Sequence, residues 1–306
     1  MKWREMLIML KPEPVYGQDS APVVGTDAVQ ASNIELMPLE ADLISRGLLG
    51  GTLGNELQMH VGVHMKLSFD VEMAGSGTAG TVSQNSAPLR GCSHGEQINV
   101  DNVLYSPIDQ NEEANTAYLH FSGQLHAMTG SRGSVGIRLN PKGVPVYHYE
   151  YIGLWAGPSS VADPDADFSG LPDPLSVSNT NTPTFTLFGA AQKVAAFEFK
   201  QNNGTFYDNL IGAEEVPVND RKPSASITIE APEISVMDWF TTAKNGVTGA
   251  LQWIHGLTAG HITEFNAPRV QPLRPRYVDR NGKAMIQMDL SLIAPSGAPE
   301  YTITER

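Results

Sequence analysis

From Met59 to Met73 every odd-numbered residue is apolar (Met59, Val61, Val63, Met65, Leu67, Phe69, Val71, Met73), and between Gln58 and Glu72 every even one except Gly62 is polar. Successive strand side chains point to opposite faces, so a period of two marks a strand with one wet and one dry face. At about 3.4 Å per residue the run is roughly 50 Å long, well beyond the usual strand of about 5–6 residues. Such a strand either bends, with Gly62 the natural place, or runs past its own domain and is covered by a neighbouring copy. The closing segment Ala284–Ile293 repeats the pattern, with Ile286, Met288, Leu290 and Leu292 on one face and Gln287, Asp289 and Ser291 on the other. It is expected to pair with the opening strand.

Further strands are expected at 34–37, 103–105, 117–127, 135–139, 147–152, 184–188, 195–200 and 224–231. Turns are expected at 130–133, 140–143 and 202–204. A short helix is expected around Ala87–Cys92 with Pro88 in its first turn. A second is expected at Val236–Lys244, with Ser235 as N-cap, Asp238 as its capping-box partner and Asn245-Gly246 as C-cap. No β–helix–β rhythm appears, which disfavours a parallel sheet. The fold expected is mainly β, an antiparallel β-sandwich or barrel with a flanking α-helix. Residues 1–306 read as one domain with an N-terminal arm at 1–32, a long glycine-rich loop at 38–57 and a surface insertion at 156–183 rich in Pro, Ser, Asp and Asn. No repeat with a fixed period of 20 to 50 residues is evident.

The chain has 306 residues, 41% of them hydrophobic, enough for an ordinary buried core. A single cysteine, Cys92, rules out an intramolecular disulfide. The apolar stretch Met6–Leu10 is too short for a signal peptide, and no run of 18 apolar residues suggests a membrane span. The net charge is −13. That argues against gripping phosphate backbones, because nucleic-acid affinity rests on cationic contacts. It is compatible with solubility alone, and equally with a conduit to whose wall DNA must not stick.

Candidate chemistry is sparse. Asp163, Asp165 and Asp167 have the opening spacing of a calcium loop, but Phe168 and Pro174 stand where its glycine and final acid belong. His60 and His64 share a strand face about 13 Å apart, too far for one metal. His148 and Glu150 could hold a metal only if His120 or His126 joined them. Cys92 has no partner that would activate it beyond His94, two residues away. Gly130-Ser131-Arg132-Gly133-Ser134 lacks the ending of a phosphate loop. No nucleophile, base and orienter assemble, so no enzymatic activity, metal or cofactor is expected.

Lys11-Pro12-Glu13-Pro14-Val15-Tyr16-Gly17-Gln18-Asp19, then Ala21-Pro22 and Ile34-Glu35-Leu36, resemble the N-terminal region of major tail tube proteins from long-tailed, siphovirus-like bacteriophages. Leu49-Gly50-Gly51, the strand ending Phe69-Asp70-Val71-Glu72-Met73-Ala74-Gly75-Ser76-Gly77, Ala87-Pro88-Leu89-Arg90-Gly91-Cys92, the segment from Gly130 to Val135, and Tyr149-Glu150-Tyr151-Ile152-Gly153 follow in that family's order. Ser83-Gln84-Asn85-Ser86 stands where the family has a tryptophan-containing segment. The resemblance implies a β-sandwich subunit forming hexameric rings, which stack into the tube through which phage DNA is ejected. Its implied partners are further copies of the chain, the tape measure, tail-tip and tail terminator proteins, and passing DNA without specific binding. The implied location is the virion tail, assembled in the bacterial cytoplasm with no membrane involved. The wet faces make Lys66, Ser68, Asp70, Glu72, Gln287, Asp289 and Ser291 the candidate lumen-lining residues, with Lys66 expected beside Asp70 or a neighbouring subunit. The arm Met1–Ser32 and the loop Ala41–Glu56 are candidates for contacts between rings. The tube protein of a bacterial contractile secretion apparatus and a metal-dependent β-barrel enzyme are the alternatives.

Overall fold

The computed structural model describes residues 5–48 and 53–306. The first half of the chain runs β1 (Leu7–Pro12), α1 (Val24–Asp27), β2 (Ala28–Val29), β3 (Ala31–Ser45), β4 (Gln58–Glu72), α2 (Ser86–Gly91), β5 (His94–Ile98), β6 (Val103–Pro107), β7 (Asn115–Phe121), β8 (Gln124–Leu139) and β9 (Val146–Ser160). The second runs β10 (Thr184–Leu187), β11 (Ala190–Ala191), β12 (Val194–Lys200), β13 (Asn203–Thr205), β14 (Asp208–Leu210), β15 (Ala213–Glu215), β16 (Val218–Arg221), β17 (Ser224–Glu230), α3 (Trp239–Lys244), β18 (Gly249–His255), β19 (Thr263–Arg280), β20 (Lys283–Leu292) and β21 (Thr302–Glu305). The protein is mainly β, and its strands pair antiparallel.

One ladder dominates, in the order β3-β4-β9-β8-β12-β17-β20-β19. Its dry face carries Leu67, Phe69, Val71, Tyr147, Tyr149, Tyr151, Ile137, Phe197, Phe199, Ile227, Met288 and Leu290, all buried. Against this face packs a second layer, in which β1 pairs with β7 and β10 with β18. Strands β8 and β19 are long enough to serve both layers, their first halves pairing with β7 and β18. The core between the layers is rich in aromatic rings, Trp253 stacking on Phe265 and Phe265 on Tyr301 with centroids 5.7 and 5.6 Å apart.

The two halves repeat one topology. In each, a strand of the outer layer (β1, β10) leads to a pair of adjacent strands (β3–β4, β12–β17), then a six-residue helix (α2, α3), an outer strand (β7, β18) and a hairpin (β8–β9, β19–β20). The hairpin's second strand returns beside the first pair, giving β3-β4-β9-β8 in one half and β12-β17-β20-β19 in the other. The halves join where β8 pairs with β12, over 197–200 against 139–136.

Several expectations change. The apolar run Met6–Leu10 is an interior strand, not part of a free arm: Leu7, Ile8, Met9 and Leu10 are buried and β1 pairs with β7. The carboxylate of Glu13 ties down the rest of the arm, accepting from Gly17 N at 2.7 Å, Gly130 N at 2.7 Å and Thr116 Oγ1 at 2.9 Å. Met1 to Arg4 lie outside the described residues, as do Leu49 to Thr52 of the expected loop. Of that loop, 38–45 is strand, so β3 and β4 form a long ribbon with bulges near Pro38 and Gly62. Gly62 sits at φ +67°, where a Cβ would lie 3.2 Å from the Tyr207 ring.

The segment Gly130–Gly133 is not a turn but continues β8, and its glycines mark close approaches. A Cβ on Gly133 would meet Glu150 O at 2.4 Å. The hairpin turn falls instead at Ser122-Gly123, both at positive φ. Helix α3 begins three residues later than expected because Asp238 itself is the N-cap, accepting from Phe240 N and Thr241 N at 3.0 Å. Segment 156–183 comprises the tail of β9 and the connector between the halves. The connector docks through Val177, whose amide donates to Gly143 O and whose carbonyl accepts from Lys142 N.

At the far end of the core two backbones touch without side chains between them. Gly77 N donates to Gly260 O at 2.9 Å, and a Cβ on Gly260, at φ +86°, would lie 2.3 Å from the Gly77 carbonyl carbon. Gly260→Ala is expected to lower unfolding free energy by about 2 kcal/mol, since it adds a backbone clash to an unfavourable φ. Chemical denaturation checks it.

Candidate functional site

The wet face of the ladder gathers polar groups from eight strands. Register carries one row from Asp70 through His148, Gly136, Lys200 and Ser224 to Ser291 and Gln271. The next row runs Glu72, Val146, Arg138, Glu198, Ser226, Asp289 and Leu273. Ser68 pairs with Glu150, Glu150 with Ser134, and Thr228 with Gln287. Directly paired residues of antiparallel strands share a face. Lys66, Ser68, Asp70, Glu72, Gln287, Asp289 and Ser291 therefore lie on one surface. They are not adjacent, however: β20 pairs with β17 and β19 rather than with β4, and β9, β8, β12 and β17 stand between.

Several cations on this face are paired with carboxylates. Lys66 Nζ reaches Glu40 at 3.1 Å rather than Asp70. Lys200 pairs with Glu198 at 3.4 Å, Arg274 with Asp289 at 3.0 Å and Lys193 with Glu230 at 2.9 Å. Asp70 is only 3% exposed. Its carboxylate accepts from Asn33 Nδ2 at 2.8 Å and Arg138 Nη2 at 3.4 Å and meets His148 Nδ1 at 2.6 Å. It therefore ties β3, β4, β8 and β9 together beneath the surface instead of lining it. Asparagine in its place keeps one oxygen for Arg138 and His148 but loses the charge, and it turns an amide nitrogen towards the Asn33 Nδ2 donor. Asp70→Asn is expected to cost about 1.5 kcal/mol of stability, the scale of a charge-assisted hydrogen bond, measurable by chemical denaturation. A groove of about 740 Å³ crosses the β12–β17–β20 end, lined by charged and polar groups such as Lys200, Arg221 and Asp289 and by apolar ones such as Leu273, Leu292 and Ile293.

The other candidate groups do not converge on a reactive centre. His120 and His126 sit on β7 and β8, where His126 stacks on Phe121 and burial lowers both imidazoles' pKa values. His126 is level with Pro158, ten residues along β9 from His148, roughly 33 Å away in extended strand. His64 stacks on Tyr207 with centroids 4.7 Å apart, while His60 is exposed. No group of three or more His, Cys, Asp or Glu placed to hold a metal occurs among the described residues. Asp163 accepts from Gly123 N and Asp167 from Ser169 N, turn contacts of a connector. Cys92 is fully buried, its thiol facing the Tyr151 hydroxyl at 3.6 Å, and burial pushes its pKa far up. Burial also holds His94 down to about 4, its ring fixed between Leu89 O and the Tyr301 hydroxyl. No helix of the described residues is long and apolar enough to cross a membrane.

One further surface escaped sequence reasoning, and a second coincides with the expected contact loop Ala41–Glu56. The outer edge of β3 and the 271–280 part of β19 each pair with one strand only, so the main sheet ends in two open edges. Beyond His64, where β4 leaves β9, the β3–β4 ribbon runs on with exposed Leu43, Ile44, Met59 and Val61, and Leu48, Leu53 and Leu57 follow in its loop. Exposed apolar side chains grouped this way mark a contact surface.

These features define a mainly β subunit whose one large sheet has a polar face, a buried face and two unclosed edges. A family model for the phage tail tube protein matches residues 3–299, nearly the whole chain. The chain belongs to the phage tail tube protein family and is a structural protein of the phage tail. No curated protein matches it.

Proposed function

We propose that copies of the chain join through their open sheet edges into closed rings, and that the rings stack into the tube that conducts phage DNA during ejection. The observation that carries this reading is the wet face of the main sheet. It is continuous across eight strands, mostly polar with a few apolar residues such as Val146 and Leu273, and backed by the core, as the inner wall of a large barrel would be. Lys66, Ser68, Glu72, Gln287, Asp289 and Ser291 line the lumen, together with Glu150, Ser134, Glu198 and Ser226. Because Lys66, Arg138, Lys200 and Arg274 are each engaged by a carboxylate, the wall offers passing phosphates few free cations to hold them. The β3–β4 ribbon and its loop reach the neighbouring ring, where their apolar residues become covered.

The role is structural and uses no metal or cofactor. Tape measure, tail-tip and tail terminator proteins are the further partners, and the virion tail, assembled in the bacterial cytoplasm, is the location. Negative-stain electron microscopy at rising protein concentration tests the reading. Hollow tubes or rings are the expected result; persistent monomers, with or without a tail-tip initiator, would contradict it.

A further inference from the structure

The two halves use one equivalent stretch of chain differently. Glu72 and Glu230 end β4 and β17, so Ser68 corresponds to Ser226, and its β3 partner Glu35 corresponds to Glu198, the β12 partner of Ser226. Counting on by two, Met37 corresponds to Lys200. Past Met37 the first half carries on as the β3–β4 ribbon. At Lys200 strand β12 ends instead, and residues 201–223, which join it to β17, fold back onto the first half.

Both flanks of this excursion are anchored there. Asn203 Nδ2 donates to Gly133 O at 2.9 Å and to Cys92 O at 3.2 Å. Val216 is fully buried, its amide donating to the Tyr16 hydroxyl at 2.6 Å and its carbonyl accepting from Arg132 Nη1 at 3.1 Å. Arg132 in turn lies over the Tyr16 ring, 4.9 Å from its centroid.

Between these anchors Tyr207 meets the ribbon. Its ring stacks on His64, with centroids 4.7 Å apart and planes 14° from parallel. It also occupies the space that a side chain at position 62 would need, since a Cβ on Gly62 would lie 3.2 Å from Tyr207 Cε1. His64 is held for the stack by its Nδ1, which donates to Gly62 O at 2.9 Å.

This contact falls at the root of the ribbon. Strand β9 flanks β4 only as far as His64, and beyond that level β4 pairs with β3 alone among the described residues. The β3 register shifts between Met37 and Glu40 and again between Glu40 and Asp42, beside Gly62 at positive φ, so the backbone bends at the same level. A two-stranded ribbon is marginally stable in water, and a bend at its root leaves its direction free. The Tyr207 ring removes that freedom.

We propose that residues 201–223 brace the β3–β4 ribbon, and that Tyr207 is the positioning residue which holds the ribbon's apolar tip in the direction used for tube assembly. The consequence for assembly rests on the tube reading, whereas the brace itself is measurable on the single chain. The ring rather than the hydroxyl makes the contact, and the hydroxyl has no hydrogen-bond partner, so phenylalanine is expected to serve in its place.

Amide hydrogen exchange of the unassembled chain tests the brace. Tyr207→Ala is expected to speed exchange roughly five-fold in peptides from 40–46 and 58–63, the scale of one aromatic stack, and to leave main-sheet peptides from 147–152 and 225–230 as in the parent. Tyr207→Phe is expected to match the parent. His64→Ala is expected to speed the same ribbon peptides, and the double substitution to add little to either single one, because both remove the same contact. The concentration threshold for tubes, read by light scattering, is expected to rise several-fold in Tyr207→Ala and to return to the parent's value in Tyr207→Phe. Unchanged ribbon exchange in Tyr207→Ala, faster exchange spread over the main sheet, or fully additive effects of the two substitutions would overturn the brace. Faster ribbon exchange with the parent's assembly threshold would overturn its part in assembly. If the parent chain forms no tubes, the tube reading fails instead, and the exchange result still decides the brace.

Discussion

Replacing residues 43–60 by Asn-Gly, which joins Asp42 to Val61 through a two-residue turn, is expected to leave a folded protein that no longer builds tubes. Asp42 and Val61 already face each other in the β3–β4 register. The excised tip lies beyond the last residue at which β4 pairs with β9, so the shared sheet stays whole. What disappears is Leu43, Ile44, Leu48, Leu53, Leu57 and Met59, exposed in the single chain. Covering one such side chain is worth about 1.5 kcal/mol, so losing even two of these contacts per subunit raises the concentration needed for assembly by roughly a hundred-fold. Light scattering against concentration measures that threshold, and circular dichroism confirms the fold. Tubes forming at the parent's threshold would show that the ribbon tip plays no part in stacking.

The second large effect concerns Glu305 on the last strand, which sits inside the core although it is an acid. Neither carboxylate oxygen has a hydrogen-bond partner, and the nearby hydroxyls of Tyr105 and Tyr147 also lack one. Burial pushes the Glu305 carboxyl up to about 7, against a smaller opposing pull from the Ser83 hydroxyl; Glu96 raises it further. Because the folded state holds this proton more tightly than the unfolded chain, the stabilising contribution is fully present below about pH 4.5. It is lost as pH rises through about 7. The difference amounts to about 3 kcal/mol. Glu305→Gln cannot ionise, so its stability relative to the parent is expected to improve by that amount between pH 4.5 and pH 8. Urea unfolding of both proteins at the two pH values checks it, and parallel profiles would contradict it.

The wet and dry faces were legible in the sequence because period two fixes which way a side chain points. The same period says nothing about which strand lies next to which. Hence Ser68 and Asp289 could be assigned to one kind of surface, but not to strands separated by four others. Strand β3 was legible only at 34–37 because, as an edge paired on one side, it carries Glu35, Met37, Leu39, Glu40 and Leu43 without clean alternation. Strand β1 looked like part of an arm because its buried run lies among the first residues, where a chain end is usually loose. Asp70 read as a wall residue from its own strand; the groups that bury it come from Asn33, Arg138 and His148, at least 37 positions away. The repeat of two halves leaves no sequence echo, since Ser68 and Ser226 or Glu35 and Glu198 match by topology while their neighbours differ. The mid-strand glycines Gly130 and Gly133 mimic a turn because close backbone approach and a tight turn make the same demand for a missing Cβ.

Cryo-electron microscopy of the assembled tube, at a resolution that places side chains, tests the central claim most directly. Ser68, Glu150, Ser134, Ser226 and Asp289 are expected to face the axis, with the aromatic face of the same sheet turned into the tube wall. A tube in which that polar face lies on the outside, or in which another surface of the chain lines the channel, would contradict it.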